Sequence, residues 1–68
     1  MTVSSQLKQT IASLKGARGT LRIYSVQTRD EETKVVYSDA LGITDNIIND
    51  LEARLKVLEF EEPQYKGN

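Results

Sequence analysis

From Val36 to Leu58 the chain carries an apolar arc that never loses its phase. On a helical wheel turning about 100° per residue, Val36, Tyr37, Ala40, Leu41, Ile43, Thr44, Ile47, Ile48, Leu51, Leu55 and Leu58 fall within an arc of about 160°. The opposite side holds Asp39, Asp45, Asn46, Asn49, Asp50, Glu52 and Lys56. Arg54 is the one charge inside the arc, and Glu59 sits at its edge. This pattern predicts a long amphipathic helix whose apolar face is wider than a single partner helix covers.

The ends of that helix are marked. Thr28-Arg29-Asp30-Glu31 reads as a capping box, a threonine followed three residues later by a glutamate. Asp30, Glu31 and Glu32 suit the positive end of the helix dipole. Pro63 limits the other end. Asp30–Lys34, Asp50–Arg54 and Glu52–Lys56 are acid-before-base pairs four residues apart, expected to support the helix. Gly42 lies inside the predicted helix, where it costs about 1 kcal/mol relative to alanine.

The first half is a weaker helix. Leu7, Leu14 and Leu21 recur every seven residues with Ile11 beside them, and Lys8, Lys15, Arg22 and Arg29 form a neighbouring stripe at the same spacing. A second face carries Ala12, Gly16, Gly19, Ile23 and Val26, small at one end and apolar at the other, where a neighbouring backbone can approach closely. The rival reading takes Gly16–Gly19 as a loop and Thr20–Thr28 and Thr33–Tyr37 as a hairpin of β-formers, giving an α-β-β-α chain. Against it, Val36 and Tyr37 already belong to the long helical arc.

Size and composition point to assembly. A chain of about 60 residues buries only roughly 60% of its unfolded surface, so small domains need a disulfide, a metal or a partner. This one has 68 residues, no cysteine and no histidine. A second copy is the remaining staple. The apolar fraction of 38% separates it from disordered chains. No apolar run reaches the ~20 residues of a membrane span, and the polar start lacks a secretory core. The expected location is therefore cytoplasmic.

Net charge is −1, but residues 1–29 carry five bases and no acid, whereas residues 30–68 carry ten acids and four bases. Either the halves attract each other or the first half meets an anion. The stripe Lys8, Lys15, Arg22, Arg29 is the best candidate for anionic lipid or nucleic acid. The plainer reading, which we prefer, is that it flanks the helical seam and faces the acids of the second helix. Nucleic-acid binders are usually basic overall, which this chain is not.

Catalytic patterns are lacking. A nucleophilic triad needs a base beside a serine or cysteine, and there is no histidine. Asp30-Glu31-Glu32 and Glu59-Glu61-Glu62 lack the loop spacing of a calcium site and read as helix-end charge. No phosphate-cradling glycine motif is present. The expectation is no enzyme, no metal and no cofactor. The tail, residues 63–68, has no periodicity; its Tyr65 is a minor candidate for docking on a partner.

The chain resembles a short bacterial family, domain of unknown function 1657. The words that carry the likeness are Met1-Thr2-Val3, Ser5-Gln6, Lys8-Gln9-Thr10, Ala12-Ser13-Leu14-Lys15-Gly16, Gln27-Thr28, Asp30-Glu31-Glu32 and above all Glu61-Glu62-Pro63-Gln64-Tyr65-Lys66-Gly67. The resemblance implies an all-helical fold in an endospore former. It also implies a role in the spore beside a membrane protein, because such proteins are often encoded next to stage V sporulation membrane proteins. It implies no reaction. The chain departs from the family pattern at Arg18-Gly19-Thr20-Leu21-Arg22-Ile23-Tyr24 and at Gly42, which predicts a less stable first helix.

Together these readings predict an all-α fold. Helices over about residues 4–27 and 30–61 form an antiparallel hairpin within residues 1–62, and two hairpins pair into a homodimeric four-helix bundle. Ala12, Gly16, Gly19, Ile23, Leu41, Ile48 and Leu55 are the expected self-association residues. The expected role is a non-catalytic interaction protein that self-associates and packs beside a spore partner such as a membrane protein. The alternative is an anionic-surface binder using the basic stripe.

Overall fold

Each helix begins where a side chain catches an amide that the first turn cannot satisfy. Thr2 caps α1 (Val3–Gln27), its hydroxyl accepting from the Ser5 amide at 3.1 Å. Asp30 caps α2 (Glu31–Glu61), its carboxylate accepting from the Thr33 amide at 3.2 Å and from the Thr33 hydroxyl. This computed structural model describes residues 2–61. The capping box expected at Thr28–Glu31 is corrected here. Thr28 instead ends α1, donating its amide to the Tyr24 carbonyl at 2.9 Å, and Asp30 takes the capping role two residues later. An aspartate accepts more strongly than a threonine hydroxyl and also suits the helix dipole.

Three residues, Thr28-Arg29-Asp30, join the helices, too short a link for anything but an antiparallel hairpin. The two helices pack along their length, and the described residues contain no strand. The α-β-β-α alternative is thereby overturned. Ile23, Val26, Thr33, Val35 and Val36 have β-forming side chains, yet all are helical. Packing of Leu21, Ser25 and Tyr37 into the seam outweighs the few tenths of a kcal/mol that separate their propensities.

The seam follows a heptad spacing on both helices. On α1 the covered positions are Ser4, Leu7, Ile11, Leu14, Arg18, Leu21 and Ser25; on α2 they are Tyr37, Leu41, Thr44, Ile48, Leu51, Leu55 and Leu58. Ile48 is 1% exposed and Ile11 5%, the two apolar side chains that the hairpin buries outright. Two polar members of the seam have partners of different kinds. The Thr44 hydroxyl donates to the Ala40 carbonyl at 2.7 Å, and Arg18 reaches out of the seam to Asp45. Near the turn, Tyr24 and Tyr37 stack at a tilt with ring centroids 6.4 Å apart.

The product is a rod of 50 × 16 × 12 Å with a radius of gyration of 15.3 Å. A compact chain of this length has a radius near 11 Å. A rod two helices wide and one helix thick has a seam but no enclosed core, so most apolar side chains keep one side in water.

Two stability outcomes follow. Ile48→Ala removes the centre of the seam and lowers stability by about 2–5 kcal/mol, read as an earlier urea midpoint by circular dichroism. Gly19→Ala acts in the opposite direction. A Cβ built at Gly16, Gly19 or Gly42 meets nothing within 4 Å, so alanine at Gly19 raises stability by roughly 0.5–1 kcal/mol through helix propensity alone.

Candidate interaction surfaces

The heptad seam divides the rod into two flanks of opposite character. One flank is charged. Lys8 meets Glu59 at 3.0 Å, Lys15 meets Glu52 at 2.9 Å and Arg18 meets Asp45 at 2.8 Å, each base on α1 and each acid on α2. The uneven distribution of charge between the halves is thus resolved as attraction between them. Exposed pairs of this kind contribute up to ~1 kcal/mol each. Their larger effect is on register, because a slip by one turn breaks all three.

The basic stripe is divided by this arrangement. Lys8 and Lys15 are engaged with carboxylates, whereas Arg22 borders a surface groove and Arg29 stands exposed in the turn. The expected pairs within α2 are also rearranged. Lys34 approaches Glu31 at 3.6 Å rather than Asp30, whose carboxylate is occupied by Thr33. Glu52 takes Lys15 across the seam in place of Lys56.

The other flank is apolar. On the wheel, Ala40 and Ile47 of α2 lie about 80° from the seam and Val36 and Ile43 further round at about 120–130°, all on the side away from the acids that make the ion pairs. Asp50, Arg54 and Val57 continue the row. On α1 the same flank carries Val3, Thr10, Ala17 and Tyr24. Ten large hydrophobic residues are exposed in the hairpin, and six of them (Val3, Tyr24, Val36, Ile43, Ile47 and Val57) lie here. Val36 is 65% exposed and Ile43 61%. Clustering on one flank distinguishes this surface from the scattered apolar residues of any soluble protein.

The residues expected to self-associate separate into two groups. Leu41, Ile48 and Leu55 lie in the seam between α1 and α2, and Ile48 has no surface left for another chain. Within the hairpin those three face α1. Their neighbours on the arc, Val36, Ile43 and Ile47, hold the exposed surface instead. Ala12, Gly16, Gly19 and Ile23 lie along the back of α1, about 130–180° from the seam. Gly19, Arg22, Ile23, Val26 and Gln27 line an open groove there of about 270 Å³. Every lining residue belongs to α1, and the volume is below that of a typical small-molecule site. The groove is the dent left by a glycine beside two branched side chains. Tyr65 lies outside the described residues.

The described residues contain no group of three or more metal-ligating side chains. In the two acidic clusters, Asp30 caps α2, Glu31 faces Lys34 and Glu59 faces Lys8. No helix is long and apolar enough to cross a membrane, among the described residues.

Fold and surfaces define an antiparallel helical hairpin with one charged and one apolar flank. The chain belongs to the family described as protein of unknown function DUF1657, whose model matches residues 7–55. That span takes in the seam from Leu7 to Leu55 and two of the three cross-helix ion pairs. No curated protein and no solved structure matches the chain.

Two carboxyls titrate below the usual range. Hydrogen bonds from Thr33 hold Asp30 down, and a hydrogen bond and the charge of Lys15 hold Glu52 down. Each is lowered in the folded state, so its contribution to stability is complete above the ordinary carboxylate value near 4 and is lost as pH falls through the lowered value. The urea midpoint should therefore drop as pH falls below about 4. Asp30→Asn, which still caps but does not titrate, and Glu52→Gln should each flatten that drop.

Proposed function

We propose that the chain is a non-catalytic helical interaction module that works by self-association and by packing beside a protein partner. One observation carries this reading: six of the ten exposed large hydrophobic residues lie on a single flank of the hairpin. A rod with one seam leaves that flank in water, and a second helical surface is what covers it in a four-helix bundle. The family likeness adds the setting, a spore or sporulating cell, with a membrane protein as the neighbouring partner. The ion pairs of Lys8 and Lys15 favour this reading over binding of an anionic surface.

Sedimentation equilibrium over a hundredfold range of concentration tests the reading. A reversible dimer is expected, with helicity and melting temperature rising with concentration. A chain that remains a monomer throughout, with a single melting temperature, overturns it.

A further inference from the structure

Resting on that reading, we propose that the second copy docks on the apolar flank with both turns at the same end of the bundle, so that α2 of each copy lies over α1 of the other.

The choice of flank follows from angle. A helix in a square four-helix bundle meets its two neighbours at about a right angle. Ala40 and Ile47 stand about 80° from the seam, continuous with the existing α1–α2 interface, with Val36 and Ile43 at the rim. Gly16 and Ile23 of α1, about 180° from the seam, look away from both neighbours. The rod is 50 Å long and 16 Å wide. Its flank thus offers roughly the 800 Å² per partner of a standard interface.

The choice of orientation follows from size and charge. The cross-helix pairs Lys15–Glu52 and Arg18–Asp45 fix which residues stand level along the rod. They set Ile47 level with Ala17 and Ala40 level with Tyr24. With the turns together, these levels are kept between copies. The bulky Ile47 of one copy then meets the small Ala17 of the other, and Tyr24 meets Ala40. The half of the flank nearest the turn is apolar in both copies, and the half holding Asp50 and Arg54 meets Thr10. With the turns at opposite ends, Ile47 meets Ile47 near the middle, and Ile43 faces the region of Asp50. A carboxylate placed against apolar surface is unfavourable unless it is paired.

Three variants and one distance test this. Ile47→Glu adds a charge at an exposed position and should weaken the dimer at least tenfold in sedimentation while the far-ultraviolet circular dichroism stays helical. Ile23→Glu, on the back of α1, should leave the dimer unchanged. Arg29→Cys carrying a spin label, in the full chain, should give one interlabel distance of about 20 Å or less, one to two helix spacings. A distance near the 50 Å rod length overturns the orientation. A dimer that survives Ile47→Glu but is lost with Ile23→Glu overturns the flank. Both results leave self-association standing, whereas a wild-type monomer removes the reading beneath it. If Ile47→Glu also loses helicity, Ala17→Glu on the facing row replaces it and should separate the copies.

Discussion

The contact on which the rest of the molecule depends is the row of side chains between α1 and α2, centred on Ile11 and Ile48. Among the described residues these are the two apolar side chains the hairpin encloses, and Ile48 is two residues from the midpoint of the longer helix. A two-helix rod cannot enclose more, because each helix has neighbours on one side only. Every other surface is defined by its angle to that row. The charged flank lies on one side, the apolar flank on the other, and the glycines of α1 lie behind.

Charge decides how the row is set rather than whether it forms. The turn of three residues already makes the helices antiparallel. The ion pairs Lys8–Glu59, Lys15–Glu52 and Arg18–Asp45 then fix the level of one helix against the other. Being exposed, they add little to stability. Arg18 shows the division of labour most directly. It occupies a seam position, where its alkyl stem lies beside apolar neighbours, while the guanidinium reaches the edge to bind Asp45. Gly19 stands next to Arg18, so an interhelical bond adjoins the point where the helix is locally weak.

Much of this was legible in the sequence, and the part that was not has a specific cause. Leu7, Ile11, Leu14 and Leu21 announced the α1 side of the seam by their spacing. The α2 arc was legible as an arc but not as two rows. A face of about 160° is the sum of a seam and a flank. Leu41, Ile48 and Leu55 differ from Ile43 and Ile47 in direction, not in chemistry. Which row meets α1 is settled only by docking against Leu14 and Leu21 and by the ion pairs that align them. The cap was misplaced for a similar reason. Thr28 and Asp30 are both good capping residues two positions apart, and the Thr33 hydroxyl, which adds a second bond to Asp30, is absent from the usual capping pattern. The extended alternative for residues 20–28 and 33–37 failed because propensity is a local preference, and here every local preference is subordinate to one long contact.

The weakness of α1 bears on how assembly and folding are related. Its interior holds Gly16, Gly19 and Thr20, and neither its first nor its last turn carries a charge that favours the dipole. Alone it would be marginal in water, since isolated helices need tertiary packing to persist. Its order therefore comes from α2 through the seam. Covering the apolar flank adds a second contact to the same helix, at Ala17 and Tyr24. Any partner that binds only the folded hairpin stabilises it by mass action. For a chain with one seam and no cysteine to form a disulfide, binding and folding are then two readings of a single equilibrium.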